Sequence, residues 1–164
     1  MEKQHNHHRL LIASGILLGM GFAGFFDGIV LHQILQWHHM LTSIQPATNI
    51  GNLELNTLWD GLFNATTYAM TVAGLVLLWR AGQRGNFVGV SKTFNGSLLI
   101  GAGSFNVIEG LINHHILGIH HVKSGPNQLA WDLGFLAIGA VLAVVGWILL
   151  RDRQPDTTIT EIKN

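Results

Sequence analysis

Residues 27–39 read D-G-I-V-L-H-Q-I-L-Q-W-H-H, and residues 109–121 read E-G-L-I-N-H-H-I-L-G-I-H-H. Side by side they match at an acid, a glycine, a histidine and a closing histidine pair. Asp27 pairs with Glu109, Gly28 with Gly110, His32 with His114, and His38-His39 with His120-His121, all at an offset of 82 residues. A second signature follows each copy, Trp59-Asp60 and Trp131-Asp132, at an offset of 72. These polar side chains sit in apolar sequence, where burial costs free energy unless each group finds a partner. The same costly set written twice reads as an internal repeat that carries a site.

The sequence around the two copies reads as membrane. Charged residues make up 11% of the chain and hydrophobic ones 48%, whereas a soluble domain carries roughly 25% charged residues. Four apolar stretches, 10–37, 55–79, 94–119 and 129–150, each reach the ~20 residues that cross a bilayer core. The first is too long for a cleavable signal, lacks an A-x-A-like site and carries Asp27 and His32 in its second half. The predicted fold is therefore all-α: an integral membrane bundle of four transmembrane helices, one domain over 1–164. Its two parallel two-helix repeats are expected at about 10–80 and 92–151, with a polar tail over 154–164.

Basic residues set the expected orientation. Lys3 and Arg9 precede the first stretch, Arg80, Arg84 and Lys92 lie between the second and third, and Arg151, Arg153 and Lys163 follow the fourth. Loop 40–54 has no Lys or Arg, and loop 118–128 has only Lys123. The positive-inside rule then places both termini and the middle loop in the cytoplasm and the two His-pair loops outside. Two crossings per unit give both units one orientation, related by a pseudo-two-fold axis along the membrane normal. Net charge is zero, so nothing points to nucleic acid.

Gly19-Met20-Gly21-Phe22-Ala23-Gly24 matches G-x-G-x-x-G, but no strand precedes it, so a dinucleotide site is excluded. Gly15, Gly19, Gly24 and Gly28, with Gly96, Gly101, Gly103 and Gly110, predict instead small-residue seams between closely packed helices. Ser104 belongs with that packing.

The candidate site contains Asp27, His32, His38, His39, Asp60, Glu109, His114, His120, His121 and Asp132. No Lys or Arg lies inside the four stretches to pair with Asp27 or Glu109. Their partners must be a metal, a proton, a histidine, or an amide of Asn64, Asn106 or Asn113. For Asp60 and Asp132 the simpler alternative is a place in the first turn of a helix, where the dipole favours acids, beside Trp side chains suited to the membrane interface. The chain has no Cys, so a transition-metal site must use imidazole and carboxylate, which suit copper, iron or zinc. His115 has no counterpart, and His5, His7 and His8 read as a solvated N-terminal cluster.

Helix geometry limits how these residues meet. On a straight α-helix Asp27 and His32 point about 140° apart, and Asp27 and His38 stand ~16 Å apart along the axis. Ligands must therefore assemble across helices, for example His32 with His114, or the helix must break near His38 so that the His pair folds back as a lid. Either arrangement admits two ions or a dinuclear centre. The Glu-x-x-His spacing of ferritin-like di-iron bundles is absent, as is H-E-x-x-H. The clusters H-x5-H-H and H-H-x4-H-H loosely resemble the histidine boxes of membrane desaturases and hydroxylases. A haem held by His32 and His114 is an alternative cofactor, with the nearby carboxylates favouring bare ions.

The string G-F-F-D-G-I-V-L-H-Q-I-L-Q-W-H-H, followed by L-W-D-G-L-F, resembles the small bacterial four-helix membrane proteins grouped as a domain of unknown function. The resemblance spans about 10–150. It implies a protein of the bacterial cytoplasmic membrane and no particular activity. It also implies a setting beside copper-handling assembly proteins of cytochrome oxidase, so the expected partners are the lipid bilayer and metal-handling or respiratory-chain membrane proteins. From the residues, metal binding and delivery or redox is the first expectation. A metal-dependent membrane oxidoreductase of di-iron type and a bis-His haem electron-transfer protein are the alternatives.

Overall fold

In both halves the polar residues of the apolar sequence lie where α-helix gives way to π-helix. A computed structural model of the chain describes residues 2–84 and 91–152; the tail 154–164, with Lys163, lies outside them, as does Arg153. Helix α1 (Glu2–Phe25) runs on as a π-helix, π1 (Phe26–Ile34), and helix α3 (Ser91–Glu109) runs on as π2 (Gly110–Ile116). Helices α2 (Ile50–Gly82) and α4 (Gln128–Arg151) follow their respective loops. Each half thus has the same order: α-helix, π-helix, loop, α-helix.

Three helical runs among the described residues are long and apolar enough to cross a membrane: Asn6–Ile34, Ile50–Gly82 and Gln128–Arg151. The third stretch of the sequence reading falls short of that measure. Asn95, Ser97, Ser104, Asn106, Glu109, Asn113, His114 and His115 make α3 with π2 too polar, which is compatible with its inner position. Helix α3 packs against both α1 and α4, and α1 against both α2 and α3. No Cα of α2 lies within 8 Å of one in α3 or α4. The four helices of the expected bundle are ordered as a row, α2–α1–α3–α4, in which α2 reaches α3 only through side chains such as Phe63 on Phe105.

The row explains burial. In the apolar window of α1, 44% of residues are buried, against 11% in those of α2 and α4. The outer helices contact the rest along seams seven residues apart: Asp60, Thr67, Gly74 and Ala81 on α2, and Asp132, Gly139 and Gly146 on α4. Their remaining faces expose Leu58, Leu62, Tyr68, Leu75 and Trp79, and Ile138, Val141, Val144 and Trp147, the surface a bilayer would cover. At the α1–α3 seam glycine is required by close approach. A Cβ on Gly19 would collide with the Leu98 carbonyl, and one on Gly101 with that of Ile16. Gly24 and Gly28 face α2, and Gly96, Gly103 and Gly110 face α4, so the predicted seams divide among three contacts.

At the other end of the row His7 differs from the solvated cluster expected of it, while the side chain of His5 lies outside the described residues. His7 is buried, and its Nδ1–H donates to the Ala81 carbonyl at 2.8 Å. Helix α1 starts earlier than the apolar stretch does, which brings His7 to the C-terminus of α2, where unpaired carbonyls and the helix dipole favour such a donor.

Candidate metal centre

Asp27 and His32 are five residues apart, as are Glu109 and His114. In an α-helix that spacing spreads them, but π-helical i→i+5 bonding brings residues five apart onto one face. His32 Nε2 accordingly lies 3.5 Å from Asp27 Oδ2, and His114 Nε2 lies 3.2 Å from Glu109 Oε2. The expectation of a 140° divergence fails for this reason. Gly28 and Gly110 let the π-helices approach the outer helices: a Cβ on Gly28 would meet the Asn64 and Phe63 side chains, and one on Gly110 would meet Leu136.

Beyond each π-helix the chain breaks and turns back. Leu35 N–H donates to the Val30 carbonyl and Trp37 N–H to that of Leu31; Leu117 to Ile112 and Ile119 to Asn113 repeat the pattern. The reversal passes through left-handed backbone at Gln36 (φ 50°) and Gly118 (φ 58°). It carries His38 Nε2 to 3.9 Å from Asp27 Oδ1 and His120 Nε2 to 2.8 Å from Glu109 Oε1. The helix break was one of the two solutions open from sequence, and assembly across helices was the other. Both operate here.

The two halves exchange anchors. His38 Nδ1–H donates to the Val122 carbonyl at 2.8 Å, and His120 Nδ1–H donates to the Met40 carbonyl at 3.1 Å. The rings of His38 and His120 stack, with centroids 4.7 Å apart and planes 7° from parallel. His32 contacts His38 (4.2 Å) and His120 (5.7 Å), and His114 contacts His120 (4.9 Å) and His38 (6.5 Å). Asp27, His32, His38, Glu109, His114 and His120 thereby form one buried cluster.

The other four candidates stand one step out. Asp60 accepts from His32 Nδ1 at 2.8 Å, from His39 Nδ1 at 2.7 Å and from the Met40 N–H at 2.8 Å. In the second half Asp132 accepts from His121 Nδ1 at 2.7 Å and from the Val122 N–H at 2.9 Å, and lies 3.4 Å from His114 Nδ1. Each His pair is therefore split. The His38 side chain is fully buried, whereas those of His39 and His121 are 21% exposed. His115 is exposed. Of the three candidate amides, Asn113 donates to Glu109 Oε1 at 3.3 Å.

Sequence reasoning missed two supporting sets. Asn56 is fully buried and clamps the first loop, accepting from Leu41 N–H and donating to the Gln45 carbonyl. Phe63 stacks on His32 at 5.6 Å and Phe135 packs on His114 at 5.5 Å. Their signal was present in sequence, since a Phe follows both Asp60 and Asp132 by three residues.

The donor chemistry fits a metal ion. His32, His38 and His120 are anchored through Nδ1 and turn Nε2 toward their neighbours, whereas His114 Nδ1 is buried without a hydrogen bond, 3.4 Å from Asp132 Oδ1. His32 Nε2, His38 Nε2, Asp27 Oδ2 and Glu109 Oε2 are buried without a hydrogen-bond partner. Two triads have ligand atoms within 4.8 Å of one another: His32, His38 and His120, and Glu109, His114 and His120. Burial, with His32 and His120 alongside, holds the His38 imidazole well below the usual histidine range. A haem between His32 and His114 does not fit this packing, because the stacked rings of His38 and His120 contact both residues.

The family model described as "Predicted membrane protein (DUF2243)" matches residues 14–153, and the chain belongs to that family. No curated protein and no solved structure matches it.

Proposed function

We propose that this membrane protein binds a transition-metal ion in a His/carboxylate centre built by both halves, and that it serves metal binding and delivery or redox. The observation that carries the reading is the set of buried, unpartnered acceptors, Asp27 Oδ2, His32 Nε2, His38 Nε2 and Glu109 Oε2, in one cluster. An acceptor left wholly unpaired costs about 1–3 kcal/mol; Asp27 Oδ2 and Glu109 Oε2 have only the ion-pair approaches of His32 and His114, at 3.5 and 3.2 Å, and an ion would pair several of these atoms at once. Asp27, His32, His38, Glu109, His114 and His120 would hold it. Asp60, Asp132 and the Val122 and Met40 carbonyls would fix ring orientation, as outer-shell acceptors do at metal sites. His39 and His121 would form the partly exposed way in.

Copper, zinc and iron all suit these donors, and copper(II) heads the affinity order for nitrogen and oxygen sites. Four imidazoles and two carboxylates depart from the carboxylate-rich di-iron pattern, which favours binding over oxygen chemistry. We assign α3 with π2 as a fourth span, both termini to the cytoplasm and the centre to the outer side of a bacterial cytoplasmic membrane. The matching halves are read as a duplicated two-helix unit. Partners would be metal-handling or respiratory-chain membrane proteins.

Elemental analysis of protein purified without added metal tests the reading. The expected result is a copper, zinc or iron content well above that of an unrelated membrane protein purified in parallel. A folded, metal-free protein that takes up none of the three on addition would overturn it.

A further inference from the structure

The two triads share a residue. His120 belongs both to His32-His38-His120 and to Glu109-His114-His120. Its Nδ1 is committed to the Met40 carbonyl, so Nε2 is its only ligand atom. A neutral imidazole nitrogen has one lone pair for one ion. The triads therefore compete for His120.

Asp27 is the residue that would have to take the place of His120 if both positions filled. It approaches His32 and His38 through different oxygens, at 3.5 and 3.9 Å, and belongs to neither triad. Nor does a carboxylate lie in both triads to bridge two ions; the shared member is an imidazole.

We infer that the cluster holds one divalent first-row ion at a time in two alternative positions, with His120 as the ligand common to both. The inference rests on the metal-binding reading above and adds its stoichiometry and its pivot. One position is three imidazoles, His32, His38 and His120. The other exchanges two imidazoles for the harder set of Glu109 and His114. An ion moving between them keeps one bond throughout, which is a device for transfer rather than for storage. The stacked, near-parallel rings of His38 and His120 place that pivot at the boundary between the halves.

Cobalt(II) titration of the detergent-purified full chain tests this, read by visible absorption and by ions bound per chain. The wild type is expected to saturate at one ion per chain. His32→Ala and Glu109→Gln each leave one position and should still bind one ion, with altered spectra. His120→Ala damages both positions and should weaken binding by about tenfold or more relative to either. Two ions per wild-type chain would overturn the inference while leaving the metal-binding reading intact, and this arm needs no variant. His120→Ala binding as well as His32→Ala, with helix content and monodispersity unchanged, would also overturn it. If the wild type binds no cobalt, zinc or copper, the metal-binding reading fails and the inference falls with it.

Discussion

At His32, His38 and His120 one ring nitrogen is hydrogen-bonded outward and the other faces the cluster. That division fixes which residues bear on metal affinity directly and which act through another. Asp60 accepts from both His32 and His39, so Asp60→Asn should loosen the His32 ring and lower metal affinity by about 10–100-fold. His39→Ala, one step further out, should have a smaller effect. Competition against a chromophoric chelator measures both; equal losses would place His39 in the centre itself. The ten candidate residues were legible from sequence because each is an expensive group in apolar surroundings, repeated at matched places. Which member of each His pair turns inward was not legible. Adjacent residues differ only through the backbone of the reversal, and the carbonyls of Met40 and Val122 that choose between them carry no side-chain signal.

The decisive element is the π-helix. The D-x4-H and E-x4-H spacings looked incompatible with a shared helix face because α-helical rotation was assumed. The clue was present, since the same five-residue spacing occurs at Asp27-His32 and at Glu109-His114. Nothing local in F-D-G-I-V-L-H-Q-I announces i→i+5 bonding; packing against α2 and α4 accompanies it. Gln36 and Gly118 occupy matching left-handed positions after π1 and π2. A non-glycine residue there costs roughly 1–2 kcal/mol. Gly118→Ala should therefore destabilise the protein by about 1 kcal/mol, whereas Gln36→Gly should be neutral or slightly stabilising. At the α1–α3 seam Gly19→Ala forces the helices apart and should cost about 1–3 kcal/mol. Thermal unfolding in detergent reads all three, and a neutral Gly19→Ala would contradict the close approach at Leu98.

As a whole the molecule is a row of helices with its polar cluster between the two inner ones. The apolar stretches and their order could be read from composition. That α2 and α4 never meet could not, because their exposed apolar faces look the same in sequence whether they cover lipid or another helix. The positive-inside pattern assigns the two His-pair loops to the outer side. With the cysteine-free chain as background, Thr48→Cys should react with an impermeant maleimide from outside intact cells, and Gln83→Cys only after lysis. The reverse would invert the orientation.

The central claim is that one centre is built from both halves, with His38 and His120 stacked where they meet. Metal content of the His38→Ala, His120→Ala double variant, which removes one ligand from each half and damages both positions, purified beside the wild type without added metal, tests it most directly. Loss of the bound ion from a protein that keeps its helix content is the predicted result. Retention of the ion at the wild-type level would contradict it.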